Sequence, residues 1–184
     1  MHLKVSSIFI FIVFSIALAS TPKIITHNSK VDFERGKLDQ VAVSHDGKIG
    51  PAQISDKLIE TGEPFIWDIA EGGDGSLYIA TGIDGRLYRV TAAGDTSLFF
   101  DAPEMNIFAL AVDAENNVYA ATSPNGRVYK IGGTGKSSTF FEPDAVYIWD
   151  LLVDEQGALY VATGEKAVIY KVNPAGKSDT IFKG

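Results

Sequence analysis

The chain has 184 residues, which gives room for one domain with a sizeable hydrophobic core. Hydrophobic residues make up 46%, charged residues 21%, and the formal net charge is -7. These values are typical of a globular protein and argue against a nucleic-acid binder, which needs clustered lysine and arginine. The chain contains no cysteine, which excludes disulfides, a catalytic thiol, a cysteine-ligated metal and a lipid anchor on an N-terminal cysteine.

The first 19 residues have the layout of a secretory signal peptide. Lys4 precedes an apolar run from Ile8 to Ala19, which ends in the small residues that a signal peptidase recognises. The run is shorter than the roughly 20 residues of a membrane span, although an uncleaved anchor is the alternative interpretation. The sequence therefore predicts a periplasmic or secreted protein with no membrane contact after the signal is removed.

The segment 20–64 predicts one degenerate sheet ahead of the regular part of the chain. A strand, a turn at Asp46-Gly47 and a second strand are expected within residues 39–53, because Asp-Gly is typical of a tight turn. Residues 56–61 are a candidate third strand, and we conjecture that residues 30–36 form another that completes the last unit of the fold.

Residues 65–184 repeat one pattern three times, with a spacing of 41 residues and without any insertion. Aromatic positions carry the alignment, in the sets Trp67, Phe108 and Trp149; Tyr78, Tyr119 and Tyr160; Tyr88, Tyr129 and Tyr170; and Phe100, Phe141 and Phe182. Internal repeats with periods of about 20–50 residues indicate solenoids, propellers or arrays.

Each repeat predicts four short strands and no helix. In the first repeat the strands are expected at 65–71, 76–81, 85–91 and 96–101, separated by turns rich in glycine, aspartate and asparagine. The absence of helical periodicity excludes the helical repeat families. The sequence thus predicts an all-β fold made of the four-stranded units 65–105, 106–146 and 147–184, with the tyrosine positions packed between units.

The pattern G-x-L-Y-x-A-T-G-x-x-G-x-x-Y-x-V, read at 75–90 and repeated every 41 residues, resembles bacterial extracytoplasmic β-propellers of the WD40-like, NHL and SMP-30 group. The resemblance covers residues 65–184 and implies that each repeat is one propeller blade. It is not a true WD40 repeat, because the Gly-His pair is missing. In addition, Trp67-Asp68 and Trp149-Asp150 open the first strand, whereas the WD pair closes the third.

The number of repeats is low for a propeller. The sequence predicts three regular blades and one degenerate blade, whereas closed propellers usually have four to eight blades. We favour the interpretation that the sequence is a fragment of a longer propeller, because an open blade face would aggregate. The alternative is a ring completed by a second chain. In either case, missing blades or a partner chain are needed for closure.

Two groups of residues are candidates for a site. Asp68 and Asp150 occupy equivalent positions of the innermost strand, where the middle blade has Ala109. The SMP-30-like resemblance implies that such carboxylates could hold Ca²⁺ or Mg²⁺. The loops 60–65, 101–106 and 142–147 are expected on one face, because each one enters a blade. The predicted ligand-binding face consists of Glu63, Asp68, Glu104, Met105, Tyr147 and Asp150.

No catalytic residue is predicted, because the sequence lacks recognised catalytic motifs and His2, His27 and His45 are isolated. We therefore expect a binding or scaffolding propeller, without a required cofactor, for a protein, peptide or glycan ligand. The alternative is a metal-dependent lactonase or hydrolase of the SMP-30-like type, with its site in the central channel.

Overall fold

The computed structural model describes residues 39–52 and 56–184. The predicted signal peptide and the segment 30–36 lie outside the described residues. The chain divides into two compact units, Met1–Ser55 and Asp56–Gly184. Within the described parts of the chain, no helix is long and apolar enough to cross a membrane.

The described part of the first unit is a β-hairpin. Strands β1 (Val41–Val43) and β2 (Ile49–Pro51) pair antiparallel. Gly47 has a φ of 80° in the connecting turn, a conformation that glycine adopts without steric cost. The two strands expected around Asp46-Gly47 are therefore present. His45, in the same turn, is exposed.

The second unit contains three four-stranded antiparallel sheets, each with its strands in sequence order. The first sheet consists of β3 (Ile66–Glu71), β4 (Leu77–Thr81), β5 (Arg86–Val90) and β6 (Thr96–Asp101). The second consists of β7 (Asn106–Val112), β8 (Val118–Ser123), β9 (Val128–Ile131) and β10 (Ser137–Phe141). The third consists of β11 (Ile148–Val153), β12 (Leu159–Thr163), β13 (Val168–Val172) and β14 (Ser178–Lys183).

These sheets are blades of a β-propeller, as the sequence predicts. We call them blades 1, 2 and 3. The first strand of each blade is innermost, because β7 packs against both β3 and β11. Because all strands alternate in direction, the loops that enter the blades share one end of the unit with the turns between second and third strands. We call this end the entry end and the other the exit end.

Two apolar interfaces hold the blades together. The first contains Tyr78 and Leu87 of blade 1 and Leu110 and Tyr129 of blade 2. Tyr129 contacts Phe100 across it, with ring centroids 5.2 Å apart. The second interface, between blades 2 and 3, repeats this arrangement through Phe141 and Tyr170 at 5.3 Å. The prediction that the tyrosine columns pack between blades is therefore confirmed at both interfaces.

The two outward blade faces remain uncovered in part. Ile69 is 57% exposed, whereas its equivalent Leu110 is 5% exposed between blades 1 and 2. On the other side, Leu152 is 62% exposed, whereas its equivalent Ala111 is buried.

The expectation of a third strand at 56–61 is wrong, because this segment makes no ladder with another described strand.

Candidate binding site

A β-bulge recurs at the start of every innermost strand. The pairing of the first and second strands shifts register at one residue in each blade, and that extra residue is Trp67, Phe108 or Trp149. Bulges redirect a side chain at the edge of the regular ladder. The aromatic column that defines the 41-residue period is therefore also the bulge column, at the entry end.

The three bulged rings form one continuous aromatic surface together with Phe65 and Tyr147. Phe65 stacks on Trp67 with centroids 5.4 Å apart, and Tyr147 stacks on Trp149 at 5.2 Å. Phe108 lies between the two stacked pairs, 5.0 Å from Trp67 and 5.5 Å from Trp149. We call this surface the aromatic ledge; it consists of Phe65, Trp67, Phe108, Tyr147 and Trp149.

The position of each tryptophan depends on a glycine fifteen residues later. A Cβ atom built on Gly164 would lie 2.6 Å from the Trp149 indole nitrogen, and one built on Gly82 would also strike the Trp67 indole nitrogen. Blade 2 has Phe108 in place of tryptophan, and Ser123 in place of glycine. The larger indole thus occurs only in the blades where the facing residue has no side chain.

Asn106 holds the blade 1 side of the ledge in place. Its Oδ1 accepts a hydrogen bond from the Trp67 indole Nε1 at 3.2 Å and one from the backbone N–H of Ile83 at 3.4 Å. It occupies the position that Phe65 and Tyr147 hold in the other blades. Blade 2 therefore contributes a hydrogen-bond acceptor at the position where blades 1 and 3 contribute a stacked ring.

The ledge is open to solvent. Trp67 is 44% exposed and Trp149 is 55% exposed, although both are large aromatic residues. The loops beside the ledge add the exposed apolar side chains of Ile83, Met105 and Val146. An exposed apolar patch of this kind, rich in aromatic and methionine side chains, is typical of a binding surface.

Asp68 and Asp150 lie at equivalent register positions, paired with Ala80 and Ala162 of the second strands. Both oxygens of Asp68 accept backbone N–H groups, from Ile69 at 2.8 Å and from Leu110 of the next blade at 2.7 Å. Within the described part of the chain, Asp150 accepts only the N–H of Leu151, at 2.9 Å.

Metal binding by this pair of carboxylates stays a prediction. Across residues 39–52 and 56–184, no group of three or more histidine, cysteine, aspartate or glutamate side chains lies close enough to hold a metal ion.

Glu63 and Glu104 belong to the entry loops, but their side chains are buried. These side chains are 4% and 1% exposed, and each pairs with an arginine at or just before the start of a third strand. Arg86 contacts Glu63 at 2.9 Å, and Arg127 contacts Glu104 at 3.2 Å. Glu104 also accepts the Tyr129 hydroxyl at 3.1 Å. These two carboxylates therefore join loops to strands and do not line the ledge.

The exit end carries a second recurring cluster, of aspartate, lysine and tyrosine. The Nζ of Lys130 donates to Asp113 at 3.2 Å and lies 4.9 Å from the Tyr119 ring centroid. Burial, the largest influence, raises the pKa of Asp113, but hydrogen bonds from Asn117 and from Lys130 outweigh it, so that pKa lies below its usual value. Blade 3 repeats the cluster through Asp154, Lys171 and Tyr160, also with a lysine–ring distance of 4.9 Å.

The structure brings together only part of the predicted ligand-binding face. Tyr147 belongs to the ledge, and Met105 lies exposed beside it in the entry loop. The remaining ledge rings, Phe65, Trp67, Phe108 and Trp149, were not predicted as site residues. For Trp67, Phe108 and Trp149 a signal was present in the sequence, as large aromatic residues recurring at one strand position, but it was used only to align the repeats.

The fold of the chain is similar to that of known propellers, although no family model and no curated protein matches its sequence. A virginiamycin B lyase from Staphylococcus aureus matches with a TM-score of 0.57 and 14% identity, over 76% of this chain and 47% of that one. A catalytically inactive H270A form of that lyase, with quinupristin, gives a TM-score of 0.58, 15% identity and the same coverage.

A third solved structure, of a streptogramin B lyase, gives a TM-score of 0.55 and 18% identity over 76% of this chain and 46% of that one. The chain thus spans less than half the length of the solved chains it matches. At these identities the similarity shows the β-propeller fold alone.

Proposed function

We propose that the protein is an extracytoplasmic propeller-type binding module that holds a protein, peptide or glycan ligand on the aromatic ledge. The single observation that carries this proposal is the set of five contiguous rings at the entry end, with both tryptophans about half exposed. The extracytoplasmic location rests on the predicted signal peptide.

The construction of the ledge supports binding. Tryptophan and tyrosine dominate the energetics of interfaces because they bury a large area at low entropic cost. Here the rings lie on bulged strand ends of a rigid sheet, and Asn106 and Gly164 hold two of them in place. A ligand would therefore meet a surface that needs little reorganisation.

The open blade faces bear on the partners of the module. Ile69 and Leu152 occupy positions that are buried where two blades meet. We include in the proposal that further blades or a second chain cover these faces and complete the ring. The ledge lies at the entry end, so such packing would leave it accessible.

The test uses a displayed library of random peptides and an array of oligosaccharides as probes. We expect selected binders to lose affinity at least tenfold when Trp67 and Trp149 are both replaced by serine. The control replaces Leu152 and Phe182 by serine, because these side chains are comparably exposed on an outward blade face. The proposal is wrong if neither probe set yields a binder, or if the ledge variant binds as well as the control.

A metal-dependent hydrolase of the SMP-30-like type is the second candidate, because Asp68 and Asp150 do occupy equivalent positions on innermost strands. Calorimetric titration with Ca²⁺ and with Mg²⁺ tests it directly. Binding that is lost in Asp150→Asn, together with hydrolysis of a lactone that needs the ion, would favour this candidate. Absence of binding at millimolar concentrations would end it.

A further inference from the structure

We infer that the outward face of blade 3, which carries Leu152 and Phe182, is a docking surface for a further blade of the 41-residue repeat, and that this blade is of the blade 2 type. A blade of this type has an amide side chain at the position of Asn106 and no carboxylate at the position of Ala109. The inference rests on the part of the proposed function in which further blades or a second chain complete the ring, and it chooses between those two partners.

The interface between blades 1 and 2 shows how such a face is filled. Two side chains near the start of β3 make hydrogen bonds across it. The Trp67 indole donates to Asn106 Oδ1 at 3.2 Å, and Asp68 Oδ2 accepts the backbone N–H of Leu110 at 2.7 Å. Blade 2 thus supplies one acceptor and one donor to blade 1, both from its innermost strand β7.

Blade 3 presents the same two groups. Trp149 and Asp150 lie near the start of β11 as Trp67 and Asp68 do in β3. In both blades the indole nitrogen lies over a glycine fifteen residues later, and Oδ1 of the aspartate accepts the N–H of the next residue. Among the described residues, however, neither the Trp149 indole N–H nor Asp150 Oδ2 has a hydrogen-bond partner.

The apolar part of this face also repeats that of blade 1. A cavity of about 270 Å³ opens on it, with a lining that includes Tyr160, Ala162 and Ile169. The equivalent residues of blade 1 are buried in the interface with blade 2; they are Tyr78, Ala80 and Leu87. Phe182 is 54% exposed, whereas its equivalent Phe100 is 9% exposed and contacts Tyr129. The face therefore lacks the apolar neighbour that blade 2 provides to blade 1.

The aspartates decide which type of blade fits. Blade 2 has Ala109 at the position of Asp68 and Asp150, so two carboxylates at this position do not meet at either interface. The N–H of Leu110 can cross to blade 1 because alanine does not accept it, whereas the N–H of Ile69 is already bound by Asp68 in its own strand. A blade with aspartate here would bring a second carboxylate to one N–H, and like charges repel at short distance.

A second copy of this chain would offer its blade 1 to the same face. There Phe65 occupies the position of Asn106, and a phenyl ring does not accept the indole N–H as an amide oxygen does. The N–H of Ile69 is not available to Asp150 either. Such a contact would cover both polar groups of blade 3 without giving them partners, which is unfavourable. A blade of the blade 2 type satisfies both.

The test extends the chain by one blade. A copy of residues 103–146, which carries Asn106 and Ala109, is joined directly after Gly184, so that the 41-residue spacing continues. The matched control joins a copy of residues 62–105, which is equally long and carries Phe65 and Asp68 instead. The readout is the solvent exchange rate of the Trp149 indole N–H in NMR spectra, with the signal assigned through Trp149→Phe.

We expect this N–H to exchange about fivefold or more slowly in the chain extended with residues 103–146, the factor that corresponds to one net hydrogen bond. Asn106→Ala, made in the appended copy alone, should remove the slowing, and the control extension should slow exchange by about twofold or less. Asp150→Ala should lower the urea midpoint more in the extended chain than in the unmodified one, because its carboxylate gains the bond that Asp68 makes.

Three results would overturn the inference. Equal slowing by both extensions would show that the face does not select the blade type. An appended copy of residues 103–146 that stays unfolded, or that folds without slowing the exchange, would show that the face does not dock this blade. Self-association of the unmodified chain that slows the exchange and is abolished by Leu152→Asp would identify a second copy as the occupant. The library experiment on the aromatic ledge decides the wider binding function independently of all three.

Discussion

The Oδ2 atom of Asp68 accepts a hydrogen bond of 2.7 Å from the backbone N–H of Leu110, and this bond crosses from the innermost strand of blade 1 to that of blade 2. The other oxygen, Oδ1, accepts the N–H of Ile69 in its own strand at 2.8 Å. A single carboxylate therefore caps a bulged strand and ties it to its neighbour. Among the described residues, Asp150 makes only the contact within its own strand, with the N–H of Leu151.

This difference predicts unequal effects of the same substitution. Asp68→Ala should lower the free energy of unfolding by about 1–3 kcal/mol, because it leaves the N–H of buried Leu110 without an acceptor. Asp150→Ala should cost about 1 kcal/mol or less, because no contact between blades is lost. Urea denaturation of both variants measures the difference. Equal losses would show that the bond between blades does not contribute to stability.

The glycine facing each tryptophan gives a second prediction. Gly82→Ala places a methyl group where the Trp67 indole lies, so we expect the ring to shift and its bond to Asn106 to break. Overpacking of this kind costs about 1–3 kcal/mol. The Trp67 indole N–H signal should move, and binders selected on the ledge should weaken.

Gly132→Ala is the control for this substitution. A Cβ atom there would lie 3.8 Å from its nearest neighbour, an ordinary contact distance. An unchanged Trp67 indole signal in Gly82→Ala would contradict the argument that glycine is required beneath the ring. The same pair of measurements applies to Gly164 and Trp149.

The blade architecture was predictable from sequence because the repeat is exact and each strand is short, apolar and bounded by turn residues. The predicted first strand of 65–71 differs from β3, Ile66–Glu71, by one residue. Residues 56–61 were harder, because their apolar pattern suits a strand but a strand also needs a neighbour to pair with. Pairing depends on tertiary structure, which a local pattern does not report.

The site was less predictable, because residue type alone does not determine whether a side chain is exposed or buried. Glu63 and Glu104 were predicted on the ligand face because their loops enter blades on that face, but both pair with an arginine twenty-three residues later. A signal for this pairing was present in the repeats. In blade 3 the glutamate and the arginine are replaced together, by Ala145 and Val168.

The exit-end clusters predict how stability depends on pH. The pKa of Asp113 is lower in the folded protein than its usual value, because hydrogen bonds from Asn117 and Lys130 outweigh the effect of burial. A carboxyl group with a lowered folded pKa stabilises the fold above its unfolded pKa of about 4, and that contribution is lost as pH falls through the folded pKa.

We therefore expect stability to fall on acidification below about pH 4, and to fall less steeply in Asp113→Asn, which has no proton to gain there. Thermal midpoints measured between pH 6 and pH 3 provide the comparison. Asp56→Asn is the control, because Asp56 is exposed and its side chain makes no hydrogen bond or ion pair among the described residues. A slope in Asp113→Asn identical to that of the unmodified protein would contradict the assignment.

The natural replacement in blade 3 suggests a test of the ion pair between Glu104 and Arg127. Arg127→Val alone removes the cation from a carboxylate that is 1% exposed, and should lower the free energy of unfolding by about 1–2 kcal/mol, since the arginine itself is partly in solvent. Glu104→Ala/Arg127→Val copies Ala145 and Val168, and leaves no buried charge without a partner.

The double variant should therefore recover at least half of the loss caused by Arg127→Val, with a coupling energy of about 0.5–3 kcal/mol in a double-mutant cycle. The Tyr129 hydroxyl also donates to Glu104, so the cycle is repeated in a Tyr129→Phe background to separate that bond. Losses that simply add would mean that the two side chains stabilise the entry loop independently. A positive coupling would instead establish that Glu104 and Arg127 stabilise the fold as a buried ion pair, at positions where blade 3 has Ala145 and Val168.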